Sequence, residues 1–243
     1  LVGLVSANFG NIITYVIASL LTCISSVTIM IGYKEKERKI RVKEGLGKWI
    51  KTSILFKLRA RKEFKSLLAA MFISWIAGYW ISALLKVKLY LLLGESIVNY
   101  GLVMGLGVGS LSTIFSAVAA FAVKRFGGFK LTSLSLLGYG ILIPYLGIIN
   151  SPILFILGYM IPIWPFFWTG QMAYTYELSE EGYEAENLGT LTTTTSCSSF
   201  LALLGGSLTN VIGLNAGITL AGLLYFISLS VLLLPIIYRK LVS

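Results

Sequence analysis

From Phe64 onward the chain reads as six apolar runs separated by short turns, each run holding roughly 20 residues or more, enough to cross a hydrocarbon core of about 30 Å as a helix. This repetition constrains the fold more than any other feature. Apolar residues make up 56% of the chain and charged residues only 12%, too little polar surface to cover a soluble domain of 243 residues. Inside a bilayer every backbone N–H and C=O must be satisfied internally, which leaves helices or a closed barrel. Runs of this length without two-residue alternation select helices. The expected fold is an all-α polytopic membrane helix bundle.

One long polar interval, Tyr33 to Lys65, sets the orientation. Between Lys34 and Lys65 it holds thirteen Lys and Arg against four Glu. Basic residues in short loops stay on the cytoplasmic side. With that side fixed, Lys124, Arg125, Lys130, Arg239 and Lys240 all fall in the cytoplasm. The net charge of +10 therefore reads as membrane orientation in a multi-pass protein of the cell membrane, and nucleic acid is not an expected partner. Within the interval, Leu46 to Leu58 places Leu46, Trp49, Ile50 and Ile54 on one face, the pattern of a basic amphipathic helix lying at the lipid headgroups. The expected division is residues 1–31 as the end of one bundle, 32–63 as a basic linker, and 64–243 as a six-helix bundle.

The chain contains no His and no Asp. That removes His-based acid–base chemistry, His metal sites and a Ser-His-Asp arrangement. Cys23 and Cys197 are isolated in apolar spans, so neither a disulfide framework nor a metal centre is expected. No cofactor is implied, and an enzyme is the least supported class. The first residue is Leu rather than Met and stands within an apolar run, so the chain is expected to be a piece of a longer protein. Leu1–Tyr33 and Leu203–Tyr238 share an order of features: a Gly- and Asn-bearing helix end, a short turn, then a Ser-containing span ending in Tyr and basic residues. Internal repeats of this kind occur in secondary transporters.

Two local motifs carry a family likeness. Tyr100-Gly101-Leu102 opens a Gly-rich span that ends in Lys124-Arg125-Phe126-Gly127-Gly128-Phe129-Lys130. Further on, Glu177-Leu178-Ser179-Glu180-Glu181 leads through Leu188-Gly189 into a small-residue helix reaching Gly205-Gly206. With the long basic interval before them, these resemble the C-terminal half of the major facilitator superfamily. The resemblance implies that residues 1–31 are the end of helix 5 and helix 6, and that the six later spans are helices 7 to 12. It also implies a small-molecule substrate, alternating access, a partner in the missing N-terminal half, and a short gating loop at Lys124, Arg125 and Gly127. Lys124 stands where the family usually has Asp, Gly128 and Phe129 replace basic residues, and Glu184 and Glu186 fall near positions often Arg, so the family's charge-based gating contacts are not carried over.

Candidate site residues follow from helical spacing. Trp75, Tyr79, Ser82 and Lys86 share one face of their span. A polar, aromatic stripe faces protein or a water-filled cavity rather than lipid. Lys86 either faces that cavity, where an anionic group on the substrate would be its natural partner, or reaches for the outer headgroups. Lys88 lies on the other side of the helix and is expected at the headgroups. A second stripe is Trp164, Trp168 and Gln171, with Pro162 and Pro165 loosening the helix beside it. In the hydroxyl run Thr190 to Ser199, packing is the favoured role and Thr192, Thr195, Ser196 and Ser199 are lesser cavity candidates. Gly101, Gly105 and Gly109 suggest a packing groove. No span centre carries a carboxylate, so a proton-coupling acid is expected in the missing half, unless the carrier is a facilitator.

The expected function is a secondary transporter or facilitator of a small solute. The alternative is a non-transporting membrane scaffold or regulatory protein that acts through lipid binding at its basic interval. Orientation is directly testable. In a Cys23→Ser, Cys197→Ser background, a cysteine at Lys130 should react with a membrane-impermeant reagent only from the cytoplasmic side, and one at Asn150 only from the outer side. Labelling of both from one side would overturn the topology.

Overall fold

The computed structural model describes residues 62–242, with side chains placed through Tyr238. The expected spans in residues 1–31, most of the basic linker and the amphipathic segment 46–58 lie outside the described residues. The order is α1 (Lys62–Leu92), α2 (Ile97–Leu102), a π-helical segment (Val103–Gly109), α3 (Ser110–Phe126), α4 (Gly128–Ile148), α5 (Pro152–Tyr159), α6 (Ile163–Leu178), α7 (Glu184–Ile212) and α8 (Leu214–Val242). Taken as α1, α2–α3, α4, α5–α6, α7 and α8, they give six helices long and apolar enough to cross a membrane. The described residues contain no strand. The protein is an all-α, multi-pass membrane helix bundle.

Three cross-contacts fix the up-and-down alternation. The Lys62 ammonium lies 5.5 Å from the Tyr238 ring centre, placing the start of α1 beside the end of α8. At that same end of the bundle, Glu177 Oε1 accepts a 2.6 Å hydrogen bond from the Gly128 N–H, joining the α3–α4 turn to the end of α6. A carboxylate on the exposed N–H groups of a helix start is favoured by the helix dipole. At the opposite end Asn215 Nδ2 donates to Asn150 Oδ1 at 3.3 Å, linking the turns before α5 and α8. The basic cluster at Lys124, Arg125 and Lys130 shares one end with Lys62 and Lys65.

The turns are short. α3 meets α4 at Gly127 alone, with φ +79°, and α7 meets α8 at Gly213, with φ +89°. Both positions require the left-handed region that glycine enters without a Cβ penalty. The short loop expected at Lys124, Arg125 and Gly127 is therefore a one-residue turn, with Lys124 and Arg125 absorbed into α3.

α1, α4 and α8 form the centre: α8 packs along both α1 and α4, α4 along α6, and α1 along α7. Apolar attraction between helices is weak in lipid, so close backbone approach and interhelical hydrogen bonds do the holding. A Cβ on Gly170 would lie 2.8 Å from the Thr132 backbone nitrogen, so α4 and α6 cross at their backbones. Ser228 Oγ donates to the Ala70 carbonyl at 2.7 Å, Ser198 Oγ to the Phe72 carbonyl at 3.0 Å, and Ser66 Oγ to the Val231 carbonyl. Trp80 Nε1 donates to Thr209 Oγ1 at 2.9 Å.

Three expectations are corrected. Lys88 does not reach the headgroups: it is buried, its Nζ 2.9 Å from the Leu146 carbonyl and 2.8 Å from the Gly147 carbonyl, and 5.5 Å from the Phe155 ring centre. Those carbonyls belong to the last turn of α4, where intrahelical donors run out. The Gly101–Gly105–Gly109 groove is interrupted by the π segment, whose wider turn breaks a four-residue stripe, and Gly105 and Gly109 are exposed. The fourth apolar run, expected as one loosened helix, is broken outright between Tyr159 and Ile163.

Lys88→Met should leave two buried carbonyls without donors and cost about 2 kcal/mol. Thermal unfolding in detergent should show a clear loss for this variant and none for Lys86→Met; equal stability of both would contradict the clamp.

Candidate functional site

The break between α5 and α6 is written in the sequence Gly-Tyr-Met-Ile-Pro-Ile-Trp-Pro. Pro162 and Pro165 supply no N–H. The Ile161 N–H turns back to the Gly158 carbonyl at 3.1 Å, and the Ile163 N–H closes onto the Ile161 carbonyl at 3.0 Å. Irregular backbone at membrane depth is tolerated where it is buried in protein or lines a cavity. Here it borders a cavity of about 330 Å³, the size of a small-molecule site.

Five of the six spans contribute. α1 gives Trp75, Gly78, Tyr79, Ser82 and Lys86. The break gives Tyr159, Met160, Ile161 and Pro162, and the first turn of α6 gives Trp164. The opposite wall is Tyr139 with Leu142, Ile143 and Leu146 of α4, together with Tyr225 of α8. Val108 of the π segment and Ser112 of α3 close the side. The π segment meets the broken helix directly, since a Cβ on Gly107 would lie 2.9 Å from Met160 Cε.

Rings dominate the interior. Trp75 is edge-on to Trp164 at 5.3 Å between centres and to Trp168 at 5.8 Å, and it leans on Tyr79 at 5.3 Å. Trp164 and Trp168 stack with planes 27° apart. Across the cavity Tyr139 and Tyr225 stack at 4.9 Å with planes 23° apart. Offset and edge-to-face geometries are those the ring quadrupole favours. The Tyr225 hydroxyl approaches α1 at Gly78, where a Cβ would lie 3.4 Å from it. Lys86 makes no hydrogen bond or ion pair among the described residues, and no carboxylate lines the cavity.

The α1 stripe comes together as spacing predicts: Trp75, Tyr79, Ser82 and Lys86 all line the cavity. The second stripe divides. Only Trp164 reaches the cavity, because α6 begins at Ile163 and its first turn alone stands at that level. Trp168 stands one turn behind it. Gln171 is fully buried beyond Trp75, accepting from Trp75 Nε1 at Oε1 over 3.2 Å, while its Nε2 has no hydrogen-bond partner among the described residues. None of Thr192, Thr195, Ser196 and Ser199 lines the cavity. Thr192 Oγ1 bonds the Leu188 carbonyl at 2.9 Å and Thr195 Oγ1 the Thr192 carbonyl at 2.8 Å, the backbone pairing expected of hydroxyls in lipid. Lys124 and Arg125 are exposed at the end of α3, away from the cavity.

Tyr139, Tyr159 and Tyr225 are the site residues that helical spacing missed. Each stands in a mainly apolar run, outside the two stripes that spacing marks. The available signal was chemical, since a tyrosine in a span must turn its hydroxyl toward a polar partner or water. Neither a protein-family model nor a curated protein matches the chain.

The Trp75–Gln171 pair is open to a double-mutant cycle. Trp75→Phe strands the buried amide and should cost about 1–3 kcal/mol. Combined with Gln171→Leu the loss should be smaller than the sum of the single changes by about 1 kcal/mol. Additive thermal shifts would show that the bond is not formed.

Proposed function

We propose that the protein is a secondary transporter or facilitator of the major facilitator type, carrying a small solute across the cell membrane by alternating access. The observation that carries this reading is the cavity itself: a polar and aromatic chamber bordered by an unwound helix and a π segment in a six-span bundle. Binding at the level of a discontinuous helix is the common arrangement in carriers. Here the substrate meets Trp75, Tyr79, Ser82, Lys86 and Trp164 on one side and Tyr139 and Tyr225 on the other. Trp168 and Gln171 hold Trp75 in place rather than touching the solute. The second wall belongs to an N-terminal bundle, and the one-residue turn at Gly127, with Lys124 and Arg125 before it, faces the cytoplasm.

The α3 side of the cavity is the place to test this. In a Cys23→Ser, Cys197→Ser background, a cysteine at Ser112 should be alkylated by an impermeant reagent from both faces of the membrane, in right-side-out and in inverted vesicles. Modification from one face only, under every condition, would contradict alternating access.

A further inference from the structure

We propose that the cavity selects an aromatic monoanion: a planar ring system bearing one carboxylate. This rests on the reading of the cavity as a substrate site and goes further by naming the chemical class.

The charge argument comes first. Among the described residues Lys86 is the one charged residue lining the cavity, and it has no countercharge there. A cation on the chamber wall favours a negative charge on the guest and disfavours a second cation. A dianion or phosphorylated solute needs further donors or cations to replace its hydration shell. The other polar side chains lining the cavity are Ser82, Ser112 and tyrosines. Sugars fit no better: among the described residues no amide or carboxylate lines the chamber to take their several hydroxyls.

Shape supplies the rest. Within the wall that this bundle supplies, Trp75 and Trp164, set edge-on, line one side and the stacked pair Tyr139 and Tyr225 lines the opposite side. Flat, rigid rings on both sides reward a flat, rigid guest that stacks with them. Aromatic cages also hold quaternary ammonium ions, and that is the competing ligand for such rings. Lys86 decides between the two, because a cation placed in the cage would be repelled by it, with no carboxylate among the described lining residues to compensate. Ser82 stands one turn from Lys86 on the same face of α1; its hydroxyl donates to the Tyr79 carbonyl at 3.3 Å, a long bond that it can exchange for a carboxylate held at the ammonium.

Binding to the purified full chain, measured by calorimetry in detergent, tests this with four probes: cinnamate, cinnamamide, cinnamyltrimethylammonium and hexanoate. Cinnamate should bind about tenfold or more tightly than each of the other three. Lys86→Met should bring cinnamate down to the level of the amide and leave the amide unchanged. Lys86 is exposed and makes no contact that the fold uses, so this variant is expected to fold. Tyr139→Leu should weaken acid and amide alike. Equal binding of the ammonium probe or the amide, or a Lys86→Met variant that keeps full cinnamate affinity, would overturn the assignment. The two readings fail separately. Tight cinnamate binding with one-sided labelling at Ser112 would sink transport and leave the ligand class standing. Two-sided labelling without a preference for the acid would do the reverse.

Discussion

Hydrogen bonds between α1 and its neighbours are what the rest of the bundle depends on. In lipid, apolar side chains gain little by leaving one surface for another, so packing precision and polar bridges set which helices meet. Side chains of α8 and α7 donate to α1 carbonyls at Ala70 and Phe72, and Ser66 returns a bond to Val231. Trp80 reaches Thr209 of α7, Trp75 reaches Gln171 of α6, and Lys88 holds the frayed end of α4. One helix thereby fixes four others. With its remaining face so constrained, the stripe Trp75–Tyr79–Ser82–Lys86 is turned into the space left between α4, α6 and α8.

That space exists because two spans depart from regular geometry at its border. Two prolines separated by two residues prevent α5 and α6 from joining, and the π segment across from them carries Gly105, Gly107 and Gly109. Both features loosen the local ladder of hydrogen bonds. Their contact at Gly107 and Met160 places the least regular backbone of the bundle beside the cavity. A flexible thioether at such a junction accommodates changes in shape that a branched side chain would resist.

Much of this was legible in the sequence. Run length gave the six spans, and a 3.6-residue period gave the α1 stripe residue for residue. The second stripe divides, since spacing along Trp164, Trp168 and Gln171 assumes a continuous helix and α6 starts too late for Trp168 and Gln171 to reach the cavity. Lys88 was misread because proximity to a helix end suggested the headgroups, while the real partners, the carbonyls of Leu146 and Gly147, come from a helix about 58 residues away in the chain. Tyr139 and Tyr225 show the same limit from the other side. Neither belongs to a stripe that spacing marks, and only tertiary packing brings them face to face. Periodicity reports on one helix at a time, whereas a cavity is a property of several.

A cysteine scan of α1 from Trp75 to Lys88, read with a hydrophilic thiol reagent, tests the central claim most directly. If the stripe opens on a water-filled cavity, cysteines at Gly78, Tyr79, Ser82 and Lys86 react. Those at Ala77 and Trp80, packed against neighbours, and at Ala83 and Val87, exposed outside the cavity, stay silent. Reaction at Ala83 and Val87 with silence at Gly78 and Ser82 would mean that the helix is turned the other way, and that the aromatic stripe faces lipid.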